Sequence, residues 1–484
     1  MMFQGLIYTD WVSFSYVYVS RENSADFLAR PIRAPCWVEM YVRSATWWDH
    51  VTRITCSLCR PPWTDTADKA GASSIAPHLT WMQFEPAEYN SMLSSKVDAV
   101  RSQFARHLAR DVATLEVHAS QPRHFRNRAR FAIARFDGVL TYALFDKGWP
   151  SVPVRTFPIA TAAINALMPR LIDAIDGEAS LCTALCAVHF LSPQSGDMLV
   201  TLIYGDAVPL DEAWCAAARA LKQALGLPAL MGRTKGQVVL LDREHVDETY
   251  RLADGRQLSY RQMEGSFSNP SAAMCEKTLD FLCGAAAETA AACAAAHAGR
   301  APTLLELYCG NGNHTVALAR HFWRVLAVEI DRRLVDAAEL NLRENGVRNA
   351  HVLCASSGKF CKRLWYHILK TQRAGTQEED SAPPPPNEAP ELAWLREARR
   401  RTDVILVDPP RCGLDADTLK LVAAFEHILY ISCNPSSLLA GLDASLGATH
   451  EVRRWAVFDH FAYTNHLEMG VLLCRRAEDG STQT

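Results

Sequence analysis

Five short apolar runs dominate the second half of the chain: TLLELYC from Thr303, RVLAVEI from Arg324, AHVLCA from Ala350, TDVILVD from Thr402 and HILYIS from His427. Between them lie stretches with helical spacing, such as RRLVDAAELNLRENG and DADTLKLVAAF. Near-continuous Val, Ile and Leu over so few residues suits strands buried on both faces, and regular alternation with helices predicts a doubly wound, mainly parallel sheet. The fold class is therefore α/β, with a Rossmann-like domain over residues 266–475. Upstream, residues 82–265 mix strand-like and helical segments and read as an α+β region. Residues 1–81 are tryptophan-rich without a sustained period and read as an extension, and residues 476–484 as a tail. The run from Thr371 to Pro390, TQRAGTQEEDSAPPPPNEAP, cannot support a packed core and is expected to be a disordered surface loop.

The formal net charge is only -3, so the whole chain carries no nucleic-acid signal, and any basic surface must be local. One stretch qualifies. In FRNRARFAIARF, from Phe125, arginines alternate with apolar residues as in a half-buried strand that turns its charges to one side. Arg126 and Arg128 are the candidate RNA contacts; a strand with a merely solvated charged face fits the same pattern. The 15 cysteines show no disulfide-framework spacing, which points to a reducing compartment. Cys56 and Cys59 form a CxxC, but with only Cys36 near them they lack the second ligand pair of a zinc site, so no metal is expected. The run Phe3 to Ser20 is interrupted by polar residues and has no basic flank, so it fits neither a signal peptide nor a membrane span. A cytoplasmic protein without a membrane partner is expected.

Two regions carry the chemistry. TLLELYC runs into Gly310-Asn311-Gly312-Asn313 and then a helix, and Glu329 follows roughly twenty residues later at the end of the second strand. A tight turn plus an acid positioned for ribose hydroxyls fits NAD or S-adenosylmethionine; the GxGxxG spacing that seats a pyrophosphate is absent, which weighs against NAD. The second region is formed by Asp408-Pro409-Pro410-Arg411 after the fourth strand and Ser432-Cys433-Asn434-Pro435 after the fifth. Ligands in open α/β sheets bind beyond these carboxyl ends, so Cys433 is the candidate nucleophile. Cys309, beside the glycine loop, is its nearest rival and reads as packing under the cofactor, while Cys412 reads as incidental. A nucleophile that adds to a ring needs a base to restore the product, and Glu468 in FAYTNHLEM is the candidate, with His466 second.

Together, LLELYCGNGN from Leu304, VDPPRCGLD from Val407, YISCNP from Tyr430 and HFAYTNHLEMGVLL from His460 closely resemble the tRNA (uracil-5-)-methyltransferase family. The resemblance extends over roughly residues 82–475 through RNRARF, RTFPIA, GRTKGQ, YRQMEGSF and NPSAAM. It implies a class I methyltransferase domain after an RNA-binding region, with S-adenosylmethionine as cofactor and the T-loop uridine of tRNA as substrate. It also implies that Tyr308, Asn313 and Glu329 contact the cofactor, that Asp408 lines the reaction site beside it, that Cys433 adds to C6 of the uracil and that Glu468 takes the C5 proton. Asn269 stands where the family usually has glutamine, and His314 where it usually has an aromatic residue. The target base must leave its stack, because sulfur and methyl donor both need the ring. Ribosomal RNA is the nearest alternative substrate, disfavoured by the absence of a clustered four-cysteine site. An RNA-folding chaperone is a reading from another class; its activity would survive loss of the Cys433 thiol. A monomer is expected.

Overall fold

A computed structural model describes residues 3–9, 13–19, 84–108, 114–146, 149–205, 208–296, 298–299, 301–362, 364 and 403–476. The Thr371–Pro390 run and Cys36, Cys56 and Cys59 lie outside them. An antiparallel hairpin, β1 (Phe3–Thr9) with β2 (Ser13–Val19), belongs to a separate compact unit.

In the main unit the helical spacing after Glu85 becomes α1 (Tyr89–Phe104), which leads to β3 (Glu116–His118). A seven-stranded sheet follows, made of β4 (Arg128–Phe136), β5 (Val139–Asp146), β6 (Trp149–Val154), β7 (Leu185–Leu191), β8 (Leu199–Tyr204), β9 (Ala229–Arg233) and β10 (Val238–Leu240), in the order β10-β9-β8-β7-β4-β5-β6. Helices α2 (Ala162–Asp176), the single turn α3 (Ala179–Cys182) and α4 (Glu212–Leu225) accompany it. Asp211 caps α4 by accepting from the Trp214 amide at 3.0 Å, and Gly226 ends it at φ 65°, where a side chain would be strained. Phe131, Tyr142 and Phe190 pack ring to ring, and the Tyr142 hydroxyl donates to the Met168 carbonyl of α2. Period two along β4 turns Phe131 into that core and Arg128 and Arg130 to the opposite face.

A hairpin of β11 (His245–Arg251) and β12 (Gln257–Met263) leads into α5 (Ala272–Ala296). From there the alternation read in the sequence is realised: β13 (Thr303–Leu307), α6 (Asn313–Leu318), β14 (Arg324–Glu329), α7 (Arg332–Glu344), β15 (Ala350–Cys354), β16 (Val404–Val407), α8 (Ala416–Val422), β17 (His427–Ser432) and α9 (Pro435–Gly441). An antiparallel pair, β18 (His450–Phe458) and β19 (Glu468–Arg475), completes the eight-stranded order β15-β14-β13-β16-β17-β19-β18-β3. β13 to β17 are parallel, and the order reverses between β13 and β16, which opens a crevice there. β3 pairs with β18, so a strand from the front of the 82–265 region is part of this second sheet.

α5 is 25 residues long and apolar enough to cross a bilayer by composition alone. It is a core helix here: Leu279, Leu282 and Ala285 are fully buried, and the Phe281 ring meets Phe458 of β18 at 5.9 Å.

Candidate active site

Backbone chemistry at the strand ends places the side chains. After β13, Tyr308 adopts φ 65°, a left-handed conformation that costs an ordinary residue about 1–2 kcal/mol and that tends to be retained where a site requires it. Gly312 at φ 76° starts α6, and a Cβ there would meet Ala338 at 3.2 Å, so glycine alone lets the loop lie on α7. Glu329 ends β14 with its carboxylate pinned: it accepts from the amides of Gly310 at 3.0 Å, Ile330 at 2.7 Å and Asp331 at 2.9 Å. A carboxylate offers about four acceptor positions, so these three bonds leave one for a ligand.

Tyr308, Glu329, Ile330, Ser356, Ser357, Pro410, Cys412 and Asp415 help line a cleft of about 460 Å³, within the range of nucleoside-sized pockets. Ile330 is 68% exposed although apolar, and the cleft supplies the reason for it. Apolar walls, a fixed carboxylate and a glycine turn fit S-adenosylmethionine. Cys412 stands in the cleft wall, just before the turn at Gly413, φ 79°. Asn313 and Asn269 converge from different elements on one buried thiol, donating to Cys275 Sγ at 3.3 and 3.1 Å. The structure thus sets Asn269 beside the glycine loop.

The SCNP motif has a local explanation. Asn434 caps α9 by accepting from the Ser436 amide, and Pro435 suits the first helical position, so β17 stops at Ser432 and Cys433 stands at the turn. Ser432 lies opposite Met469 on the antiparallel β19, where this ladder ends, so Cys433 just beyond β17 and Glu468 at the start of β19 stand at the same end of the sheet, and Glu468 acts on the Cys433 thiol. Asp408 follows Val407, whose partner on β17 is Tyr430, so it joins them from the other side.

The two carboxylates are driven apart. Burial, then the charges of Glu468 and Glu306, raises Asp408 well above the usual carboxylate range. Burial acts on Glu468 too, but His460, His314 and Thr278 outweigh it and hold its carboxyl below the ordinary value. A neutral Asp408 beside an ionised Glu468 separates the acid and base roles. Burial, then Asp408 and Glu468, pushes the Cys433 thiol up to about 12, with Arg411 acting against the rise. Alkylation of Cys433 by iodoacetamide in the free protein is therefore expected to accelerate about tenfold per pH unit up to pH 10. Peptide mapping reads this; a plateau near pH 8 would show an activated thiolate in the resting protein.

The rivals are placed elsewhere. Cys309 is buried in the core with Val316 and Ala317, and burial raises its thiol well above the ordinary value. His466 is exposed, and its Nε2 receives Arg411 Nη1 at 3.3 Å, which occupies the lone pair a base would need. His314 is buried beside Glu306 at 3.7 Å, and burial lowers it to about 4, so it stays neutral.

Arg126 and Arg128 are half-buried rather than freely solvated. Arg126 Nε donates to the Arg128 carbonyl at 3.0 Å, and Arg128 Nη2 to the Ser266 carbonyl at 2.7 Å. Burial, then the charge of Arg130, lowers both to about 10, so three guanidinium cations are held together. Phe267, which the sequence does not single out, is 66% exposed between Ser266 and the segment bearing Asn269. It lies within the YRQMEGSF motif, but exposure of an aromatic cannot be read from a motif.

The family model for tRNA (Uracil-5-)-methyltransferase matches residues 88–372 and 391–476. A protein from Dechloromonas aromatica (strain RCB), called tRNA/tmRNA (uracil-C(5))-methyltransferase, is 42% identical over 395 residues, 81% of this chain and 99% of its own length. A Neisseria gonorrhoeae protein of the same name is 40% identical over 80% of this chain and 99% of its own. Among solved structures, the Pyrococcus abyssi tRNA (uracil-54, C5)-methyltransferase in complex with S-adenosyl-L-homocysteine matches with a TM-score of 0.55 at 17% identity, over 80% of this chain and 83% of that one, a likeness of fold.

Proposed function

The chain belongs to the tRNA (uracil-5-)-methyltransferase family, and from that premise we propose that it methylates C5 of the T-loop uridine of tRNA, with Cys433 as nucleophile and Glu468 as base. The observation that carries the assignment of roles is the convergence of three strand ends, which brings Asp408 and Glu468 close enough to Cys433 for both to act on its thiol while their own carboxyls are shifted in opposite directions. Sulfur adds to C6, the C5–C6 electron pair moves toward the C4 carbonyl, and C5 becomes the carbon that takes the methyl. S-adenosylmethionine supplies that methyl as an electrophile. Glu468 then removes the C5 proton, the double bond re-forms and sulfur leaves as thiolate. Neutral Asp408 can donate a hydrogen bond to a carbonyl oxygen of the base as charge develops on it, and Arg411 is the protein's own cation near the sulfur.

Tyr308, Asn313, Glu329 and, through the shared Cys275 contact, Asn269 form the cofactor side of the cleft in this reading. The base enters by extrusion, with exposed Phe267 placed to stack on the neighbours it leaves. In this reading the protein acts as a monomer on tRNA in the cytoplasm. Incubation with methyl-labelled S-adenosylmethionine and total RNA, followed by nucleoside mapping, tests the function. Label in 5-methyluridine at the T-loop of tRNA is expected, and label confined to ribosomal RNA would overturn the substrate assignment.

The arginine cluster is the RNA-facing surface in this reading, because the charges of Arg126, Arg128 and Arg130 work against one another, with Glu264 as the nearby carboxylate, and phosphate relieves the crowding. Arg126→Ala with Arg128→Ala should weaken tRNA binding and reduce its salt dependence by about two phosphate contacts, with cofactor affinity intact. Equal salt slopes for variant and parent would remove the cluster from the interface.

A further inference from the structure

His460 plays no part in the chemistry above, yet it occupies a singular position. Its side chain is fully buried at the end of β18, where the turn toward β19 folds it back onto the first residue of that strand. Nε2 lies 3.2 Å from Glu468 Oε1 and 3.5 Å from the Thr278 hydroxyl of α5. Nδ1 is buried with no hydrogen-bond partner among the described residues. A proton on Nε2 lets the ring donate to Glu468, whereas at Nδ1 a hydrogen would find no acceptor, so Nε2 is the nitrogen whose hydrogen is used. That proton points at Glu468.

We propose that His460 is the positioning residue of the base: its Nε2–H holds Oε1 of Glu468, fixing the carboxylate rotamer so that the other oxygen faces the C5 proton above Cys433. The inference rests on Glu468 being the base. Glu468 is buried beside Cys433 and Cys275 and acts on Asp408, so burial works against its ionised form, and His460 comes first among the groups that work for it. The His460 bond supplies that bias, since a hydrogen bond to the ionised form favours it. Glu468 is also the group whose protonation stops product release, so the bond acts on one late step and leaves thiol addition and methyl transfer alone.

The experiment follows that step. Enzyme is mixed with an unmodified tRNA transcript and labelled S-adenosylmethionine, quenched in detergent at intervals, and the decay of the denaturant-stable RNA adduct is measured from pH 4 to 8. His460→Phe removes the donor and keeps a ring; His460→Gln keeps a donor at similar reach. In the parent, adduct decay slows as pH falls through the Glu468 pKa. In His460→Phe that limb should move up by about one pH unit, so that adduct persists at acid pH where the parent has already resolved it, with cofactor binding unchanged. His460→Gln should return the limb to the parent position. If His460→Phe slows decay equally at every pH, the residue is only packing and the proposal fails. If the limb moves and glutamine does not restore it, a titrating imidazole is needed and the hydrogen-bond role fails. Parent enzyme that labels tRNA without any adduct would instead overturn the nucleophile and base assignments themselves.

Discussion

Replacing Glu468 with glutamine is expected to stop the reaction with the methylated RNA still bonded to Cys433. Addition of sulfur and transfer of the methyl both precede the need for a base, whereas expulsion of the thiolate requires loss of the C5 proton. Glutamine keeps the shape of the side chain and an acceptor for His460, but it cannot take a proton. No neighbour replaces it: burial, the largest cause of the raised Asp408, persists in the variant, and His466 has its Nε2 against Arg411. Turnover should fall by about 10²–10⁴-fold, the usual worth of a positioned base. On a denaturing gel the variant should carry RNA and methyl label together, while Cys433→Ala should carry neither. Normal turnover by Glu468→Gln, or failure to form the adduct while both substrates still bind, would assign the proton transfer to another group.

The parts of this site that are legible in the sequence share one property: each lies at the carboxyl end of a strand with its own local signal. TLLELYC, TDVILVD and HILYIS are unmistakable as buried strands, and an open parallel sheet collects whatever follows them, so Tyr308, Asp408 and Cys433 group together from the amino-acid pattern alone. Glu329 is legible in the same way. His460 is not. It sits eight positions before Glu468 in a segment with no period, and only the β18–β19 turn brings its ring to the carboxylate. The distant braces are hidden more thoroughly. β3 has three residues, and nothing local in Glu116-Val117-His118 says that its partner is β18, more than three hundred positions away. The basic strand is legible as a pattern, but the backbone bonds of Arg126 and Arg128, which make them half-buried and crowded, depend on Ser266 and on the chain's return to it.

Lys96 illustrates how much of the catalytic geometry is set by one of those distant elements. In the sequence it is one polar position on an amphipathic helix. In the fold its Nζ meets Asp459 Oδ1 at 2.5 Å, with the lysine 11% exposed and the aspartate fully buried. It also donates to the carbonyls of His466 at 3.2 Å and Phe461 at 3.5 Å, while Tyr89 from the same helix donates to Asp459 Oδ2 at 3.0 Å and receives the Ser120 amide at 2.7 Å. α1 therefore clamps both ends of the turn that carries His460 and leads into Glu468. Lys96→Met should be costly, because it leaves the Asp459 carboxylate buried with only a phenol for company; breaking one partner of such a pair costs about 3–5 kcal/mol. Urea unfolding should show that loss. Asp459→Asn in the same chain should recover part of it, since the charge that was stranded is then gone, and a double-mutant cycle separates the pair from the packing of the methylene stem. The double variant should still be slow. Removing both charges restores the interior but not the lysine's bonds to Phe461 and His466, so the turn loses its anchor and the adduct should resolve more slowly than in the parent. If the double variant matched the parent in adduct decay, the clamp would be a matter of stability alone, and the position of Glu468 would be fixed by β19 and His460 without help from α1.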